Sequence, residues 1–280
     1  MDPVSIIGHL SKWPKVFFDL GMNQSALSII DLQIAISKNV KFQVLASLYS
    51  KFENITYQEF PIKTRGAFLG YNDHRKRCFD LVSNLLGNTV KNNFQNLSTS
   101  MEKSEPIITR RTIALKNWGI LINLLKKPQP TTEEKFLGFS FLYMSKMEGF
   151  FEEDIRICYS WARLAENTFV DMNEIEQTKI SEIQDYFRKN QMDMCIFEGW
   201  NNHLRNSIAH FSFTYDAKDN MMNFEDRYWD KQKKLHLWNE RLTLNQIIEF
   251  NQRLVNVNET VTVLYAMLFI RDCCFVYHRN

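Results

Sequence analysis

Glycine and proline are scarce in this chain: nine glycines and six prolines in 280 residues. That is about 5% of positions, against roughly 12% in average usage. A chain so poor in turn residues has little material for the tight reversals of an all-β protein. It has equally little for a collagen-like or linker-rich one. The expectation is long helices with few interruptions. At this length, with 45% hydrophobic and 24% charged residues, the chain can bury its own core and is not compositionally disordered.

Charge and cysteine content exclude further classes. With 34 basic against 32 acidic side chains, net charge is +2. No overall field announces a nucleic-acid binder, so any RNA contact has to come from local clustering. The five cysteines, Cys78, Cys158, Cys195, Cys273 and Cys274, are odd in number and form no CxxC pair. They read as free thiols of a reducing, cytoplasmic setting. The start of the chain has no basic segment followed by an apolar run, so no signal peptide is expected. The longest apolar stretch, Val261 to Ile270, is far below the ~18–20 residues of a membrane span. It reads as a buried helix, and no membrane partner is expected. HExxH, paired-acid, Cys/His and phosphate-cradling Gly-rich signatures are absent, so neither a metal nor a cofactor is expected.

The organisation is read from breakers and period. In the N-terminal half, residues 26–50, 73–92 and 107–125 carry apolar residues at helical spacing. Residues 56–68, aromatic-rich with Pro61, read as loop or short extended chain. Boundaries fall at 98–106 (STSMEKSEP) and 126–132 (KKPQPTT). Thr131 followed by Glu134 is a capping box, so a helix starts near residue 132. The division expected is an N-terminal helical region, 1–125, of unknown role, and a second domain, 133–280. The latter reads as helices over 132–167, 173–188 and 192–210, then a hairpin, then a helix over 243–272. The hairpin rests on alternation in Phe211 to Tyr215 and Met222 to Asp226, with a turn between and the even positions exposed.

The segment richest in chemistry is residues 201–210, NNHLRNSIAH. On a helix, Arg205, Asn202, Asn206, His210 and His203 share an arc of about 160°. Ile196, Phe197, Trp200, Leu204 and Ile208 fall on the other side. Arg is a permanent planar cation suited to phosphate, His moves protons near neutral pH, and Asn206 can orient either. One Arg and one His are thin equipment for an active site; two copies meeting across a two-fold axis would double it, with small Ala209 allowing close approach. A polar arc is also what any solvated helix face looks like. Basic clusters at 73–77, 110–111, 126–127 and 231–234 fit either solvation or RNA guidance. Trp13, Trp118, Trp161 and Trp229 could each stack a base if exposed. His9, His74, His236 and His278 have no partner spacing.

Arg205-Asn206-Ser207-Ile208-Ala209-His210 resembles the R-N-x-x-x-H motif of HEPN (higher eukaryote and prokaryote nucleotide-binding) domains. The F-x-F-x-Y-D run that follows is similar to a prokaryotic branch of that family. So is Met147-Glu148-Gly149-Phe150-Phe151 on an earlier helix. The resemblance covers roughly residues 133–280. It implies an antiparallel helical bundle with one short β-hairpin after the motif helix. It also implies a homodimer with a composite cleft, and a metal-independent endoribonuclease of microbial defence or growth control. Arg205 would bind the scissile phosphate, His210 would transfer protons, Asn206 would shape the site and Glu148 would assist. RNA would be the substrate, and an antitoxin or other regulator a possible partner. The same fold family also serves as a non-catalytic RNA- or nucleotide-binding and dimerisation module. A third possibility, an interaction scaffold, rests on the unmatched N-terminal region.

Overall fold

A computed structural model describes residues 3–61, 71–102, 129–168, 171–230 and 232–277. These are mainly helical, with one three-stranded antiparallel sheet. The expected helix over 107–125, Trp118, His278, Lys231 and the basic pairs at 110–111 and 126–127 lie outside the described residues, as do 103–106 and 126–128 of the two expected boundaries; 98–102 of the first is helix instead. Contacts divide the chain into two units, one of Met1–Ser83 with Glu259–Asn280 and one of Asn84–Asn258.

The first unit contains α1 (Pro3–Leu10), α2 (Trp13–Asp19), α3 (Asn23–Ser37) and α4 (Phe42–Glu59). It also takes the start of α5 (Tyr71–Glu102) and the end of α11 (Leu244–Tyr277). The single helix expected over 26–50 is two helices. The chain breaks where Asn39 adopts a left-handed φ of 51°, a conformation asparagine tolerates. Thr56 to Glu59 is helical rather than loop, with Thr56 and Phe60 both fully buried there; residues 62–68 of that expected loop lie outside the described residues. Residues 73–77 are a solvated basic cluster only in part: Lys76 is exposed, but His74 and Arg75 are buried. Arg75 pairs with Glu259 at 3.0 Å and lies over the Phe60 ring. Burial pulls its pKa down, and Glu259 opposes that. The stretch Val261–Ile270 is helical and nearly all buried. Burial pushes the thiols of Cys273 and Cys274 up to about 12, and none of the five cysteines is in a disulfide.

In the second unit, Thr131 caps α6 (Thr132–Lys146): its hydroxyl accepts the Glu134 N–H, and the Glu134 carboxylate accepts the Thr131 N–H at 2.8 Å. The helix then widens into a π-helical segment, Met147–Phe151, and continues as α7 (Glu152–Ala165). The helix expected over 173–188 is split into α8 (Met172–Gln177) and α9 (Ile180–Lys189) by extended backbone at Thr178 and Lys179. The helix expected over 192–210 is a 3₁₀ turn, Cys195–Phe197, and the short α10 (Asn202–Ala209). Ile196, Phe197 and Trp200 therefore do not share a helix face with Leu204 and Ile208.

After α10 come β1 (Phe213–Asp216), β2 (Met221–Trp229) and β3 (Leu235–Leu242), paired in that order. The expected hairpin is thus two strands of three. The third escaped the pattern because its alternation is inverted: Leu235 and Leu237 are exposed while His236, Trp238 and Glu240 are half-buried. On β2 the even positions Met222, Phe224 and Asp226 are the buried ones, not the exposed set. Phe213 opposes Phe224, which opposes Glu240; Asp226 opposes Trp238. This face meets α10, which packs on both β2 and α6.

Candidate functional site

The motif helix is held at both ends. At its start, the Asn201 side chain accepts the Leu204 N–H at 3.0 Å, an N-cap, and donates to Glu240 of β3 at 3.3 Å. Buried Tyr143 of α6 fixes the approach: its hydroxyl donates to the Gly199 carbonyl at 3.0 Å and accepts the Asn201 N–H at 2.9 Å. Burial raises the phenol's pKa, so it stays a donor. Gly199 suits this close approach. A Cβ there would lie 3.0 Å from both Arg253 Cβ and Leu254 Cδ2 and 3.1 Å from the Leu254 backbone nitrogen.

At its end, Phe211 takes φ 55°. The Ser212 N–H donates to the Ser207 carbonyl at 2.8 Å and the Phe211 N–H to the Ile208 carbonyl at 3.2 Å. This is a Schellman closure, usually built on glycine. A bulky left-handed residue there is unusual, and it follows His210 directly. Phe211 is 71% exposed.

Along α10 the polar side chains do not simply face solvent. Arg205 donates through Nε and Nη2 to Glu148 Oε1 of the π-helical segment, and through Nη1 to Asn206 Oδ1 at 2.9 Å. Asn206 Nδ2 donates to Asp226 Oδ2 at 3.2 Å. The same carboxylate oxygen lies 2.8 Å from His203 Nδ1. A carboxylate oxygen accepts here, so Nδ1 is the protonated nitrogen. The His203 ring stacks on Trp238 at 5.4 Å and packs on Tyr228 at 4.5 Å. Glu148, Arg205, Asn206, Asp226 and His203 therefore form one continuous chain of polar contacts. Asp226 is buried, whereas the Arg205 side chain keeps 33% of its surface exposed.

His210, the helix's C-cap residue, is exposed. It lines a cavity of about 510 Å³ together with Phe213, Asn223, Asp226 and Arg227. Of the residues expected to act, Arg205, Asn206 and Glu148 are brought into direct contact; His210 stands beside the cavity with no side-chain hydrogen-bond partner among the described residues. Asp226 and Arg227 were missed. Asp226 carries a readable signal: it is a carboxylate in register with inward-facing Met222 and Phe224. Arg227 carries none, being one charged residue on the outer strand face. Of the described tryptophans named for stacking, Trp13 and Trp161 are buried and Trp229 is 68% exposed.

Among the described residues, no group of three or more His, Cys, Asp or Glu is placed to hold a metal ion. None of their helices is long and apolar enough to cross a membrane. Models of known protein families, curated proteins and solved structures were compared with the chain, and none matches it.

Proposed function

We propose that this protein is a metal-independent endoribonuclease of HEPN type, acting as a homodimer whose two copies of α10 line one cleft. The observation that carries the reading is the polar chain from Glu148 through Arg205 and Asn206 to Asp226, with His210 exposed at the adjacent cavity. A solvated helix face does not need a buried carboxylate to orient its amide, nor a partner for its arginine on another helix segment.

RNA brings its own nucleophile. The 2′-hydroxyl attacks the neighbouring phosphorus as its proton passes to one His210. The bond from phosphorus to the 5′-oxygen breaks, and that oxygen takes a proton from the His210 of the second copy. The products are a 2′,3′-cyclic phosphate and a free 5′-hydroxyl. Arg205 presents its remaining N–H groups to the non-bridging oxygens, where negative charge builds in the transition state. Glu148 and Asn206 position the guanidinium. Proton transfer by a placed histidine contributes about 10²–10⁴-fold. A regulator such as an antitoxin would act by covering this cleft.

The contact with Glu148 favours a second reading, a non-catalytic RNA-binding and dimerisation module, since it occupies two faces of the Arg205 fork. End-group analysis separates the two. Single-stranded RNA incubated with the protein and a chelator yields 5′ fragments ending in cyclic phosphate, while DNA of the same sequence survives. Intact RNA, or cleavage that also consumes DNA, contradicts the enzyme.

A further inference from the structure

A second cavity, also of about 510 Å³, opens beside the N-terminal end of α10. Arg156 of α7, Lys179 before α9, Trp200, and His203 of α10 line it, with Glu152 on one wall. Its volume is within the roughly 300–1,000 Å³ usual for ligand sites. None of the motif residues Arg205, Asn206 and His210 belongs to it.

Two side chains here have unused polar capacity. The Arg156 side chain is 16% exposed and its Nη2 lies 3.3 Å from Glu152 Oε2. Its Nε is buried with no hydrogen-bond partner. Its Nη1 makes no hydrogen bond among the described residues either and, unlike Nε, is not buried, so it can donate to an acceptor oxygen delivered by a ligand. His203 has its Nδ1 committed to Asp226 and its ring clamped by Trp238 and Tyr228. Its Nε2 has no partner among the described residues. The exposed ammonium of Lys179 adds a second cation, so two permanent positive charges face one carboxylate. Half-buried Trp200 adds a flat aromatic surface.

Anion-seeking donors next to an aromatic plane fit a phosphate attached to a planar base. We propose that this cavity holds one nucleotide of an RNA strand, away from the scissile bond. Arg156 and Lys179 bind its phosphate, and Trp200 stacks its base. The assignment to a strand rests on the ribonuclease reading above. It is supported by the cavity being open to solvent, so a chain can enter and leave. It is also supported by Asp226, whose one oxygen joins His203 of this cavity to Asn206 of the motif.

The test is fluorescence anisotropy on the full chain with a labelled 2′-O-methyl decanucleotide, whose blocked 2′-oxygen cannot be attacked. Arg156→Gln and Lys179→Gln each weaken binding roughly tenfold, and Trp200→Leu does so to a similar degree. Glu152→Gln tightens it severalfold, since it removes the one opposing charge. A purely structural Arg156–Glu152 pair would move both variants in the same direction; opposite signs identify a binding role. Lys179 is exposed, so its variant tests the idea even if Arg156→Gln melts early. Unchanged affinity in Lys179→Gln and Glu152→Gln overturns the subsite. Competition by adenosine 5′-monophosphate as tight as the decamer overturns the strand and assigns the cavity to a free nucleotide. The two proposals fail separately. A parent that binds through Lys179 yet leaves unmodified RNA intact loses the nuclease and keeps the subsite. A parent that cuts RNA while all variants bind equally does the reverse.

Discussion

Asp226 is a carboxylate on a strand whose other inward positions, Met222 and Phe224, are apolar and fully buried. It keeps that place because His203 and Asn206 both satisfy it. Asp226→Ala leaves two part-buried polar groups unpaired, at a cost of about 1–3 kcal/mol. In a chain of this size that lowers the melting temperature by several degrees. The same change frees Asn206 and Arg205 to reorient, so RNA cleavage falls as well; thermal melting and a cleavage assay on one preparation check both. A variant with parental melting and parental rate would show that the shared carboxylate orients nothing. At this scale the sequence displayed Arg205, Asn206, His210 and Glu148 through motif and resemblance. It hid Asp226 and Arg227, because their value comes from strand register, and register depends on pairing with β1 and β3.

Among the elements, α10 is short for an independent helix, since isolated helices under ~12–15 residues are marginal in water. It is held by what touches it, and Tyr143 is the clearest case. Tyr143→Phe removes one hydroxyl that serves both Gly199 and Asn201. It leaves a carbonyl and an N–H unsatisfied at the helix entry. Stability drops by about 1–3 kcal/mol, read as a lower urea midpoint with an unchanged slope. An unchanged midpoint would mean that water replaces the hydroxyl without loss. The capping box at Thr131 and the long helix after it were legible, because both depend on neighbours in sequence. The π-helical segment at 147–151 was not. Its apolar residues keep helical spacing, and only tertiary packing decides where one extra residue is accommodated. Such segments recur at functional sites, and this one carries Glu148 to Arg205. Likewise, the helix read over 192–210 failed because apolar periodicity cannot see Tyr143 taking up the Gly199 carbonyl and the Asn201 N–H between the 3₁₀ turn and α10.

For the whole molecule, few glycines and prolines led correctly to a mainly helical chain. The sheet was underestimated because β3 turns leucines outward. Those leucines and Trp229 leave an exposed apolar end to the sheet. Function, on the reading proposed here, belongs to two copies rather than one. Ala209 is exposed on the single chain, so a large residue there is tolerated by the fold itself. Ala209→Trp is expected to keep the parental melting temperature of the monomer while weakening dimerisation and lowering cleavage. Light scattering over a dilution series reads the first effect and a cleavage assay the second. A fully active dimer in that variant would take position 209 out of the interface.

On the proposed mechanism, His210 moves protons during RNA cleavage without serving the fold. Its side chain is exposed and makes no hydrogen bond, ion pair or ring contact among the described residues, so His210→Ala separates the two roles. The decisive measurement is the single-turnover cleavage rate of parent and His210→Ala, in chelator, beside their melting temperatures. Equal melting temperatures are expected, with the variant's rate lowered by roughly 10²-fold or more. Arg205→Lys is expected to fall short of full activity, because a point charge does not reproduce the planar fork. A His210→Ala protein that melts like the parent and cuts RNA as fast would contradict that mechanism.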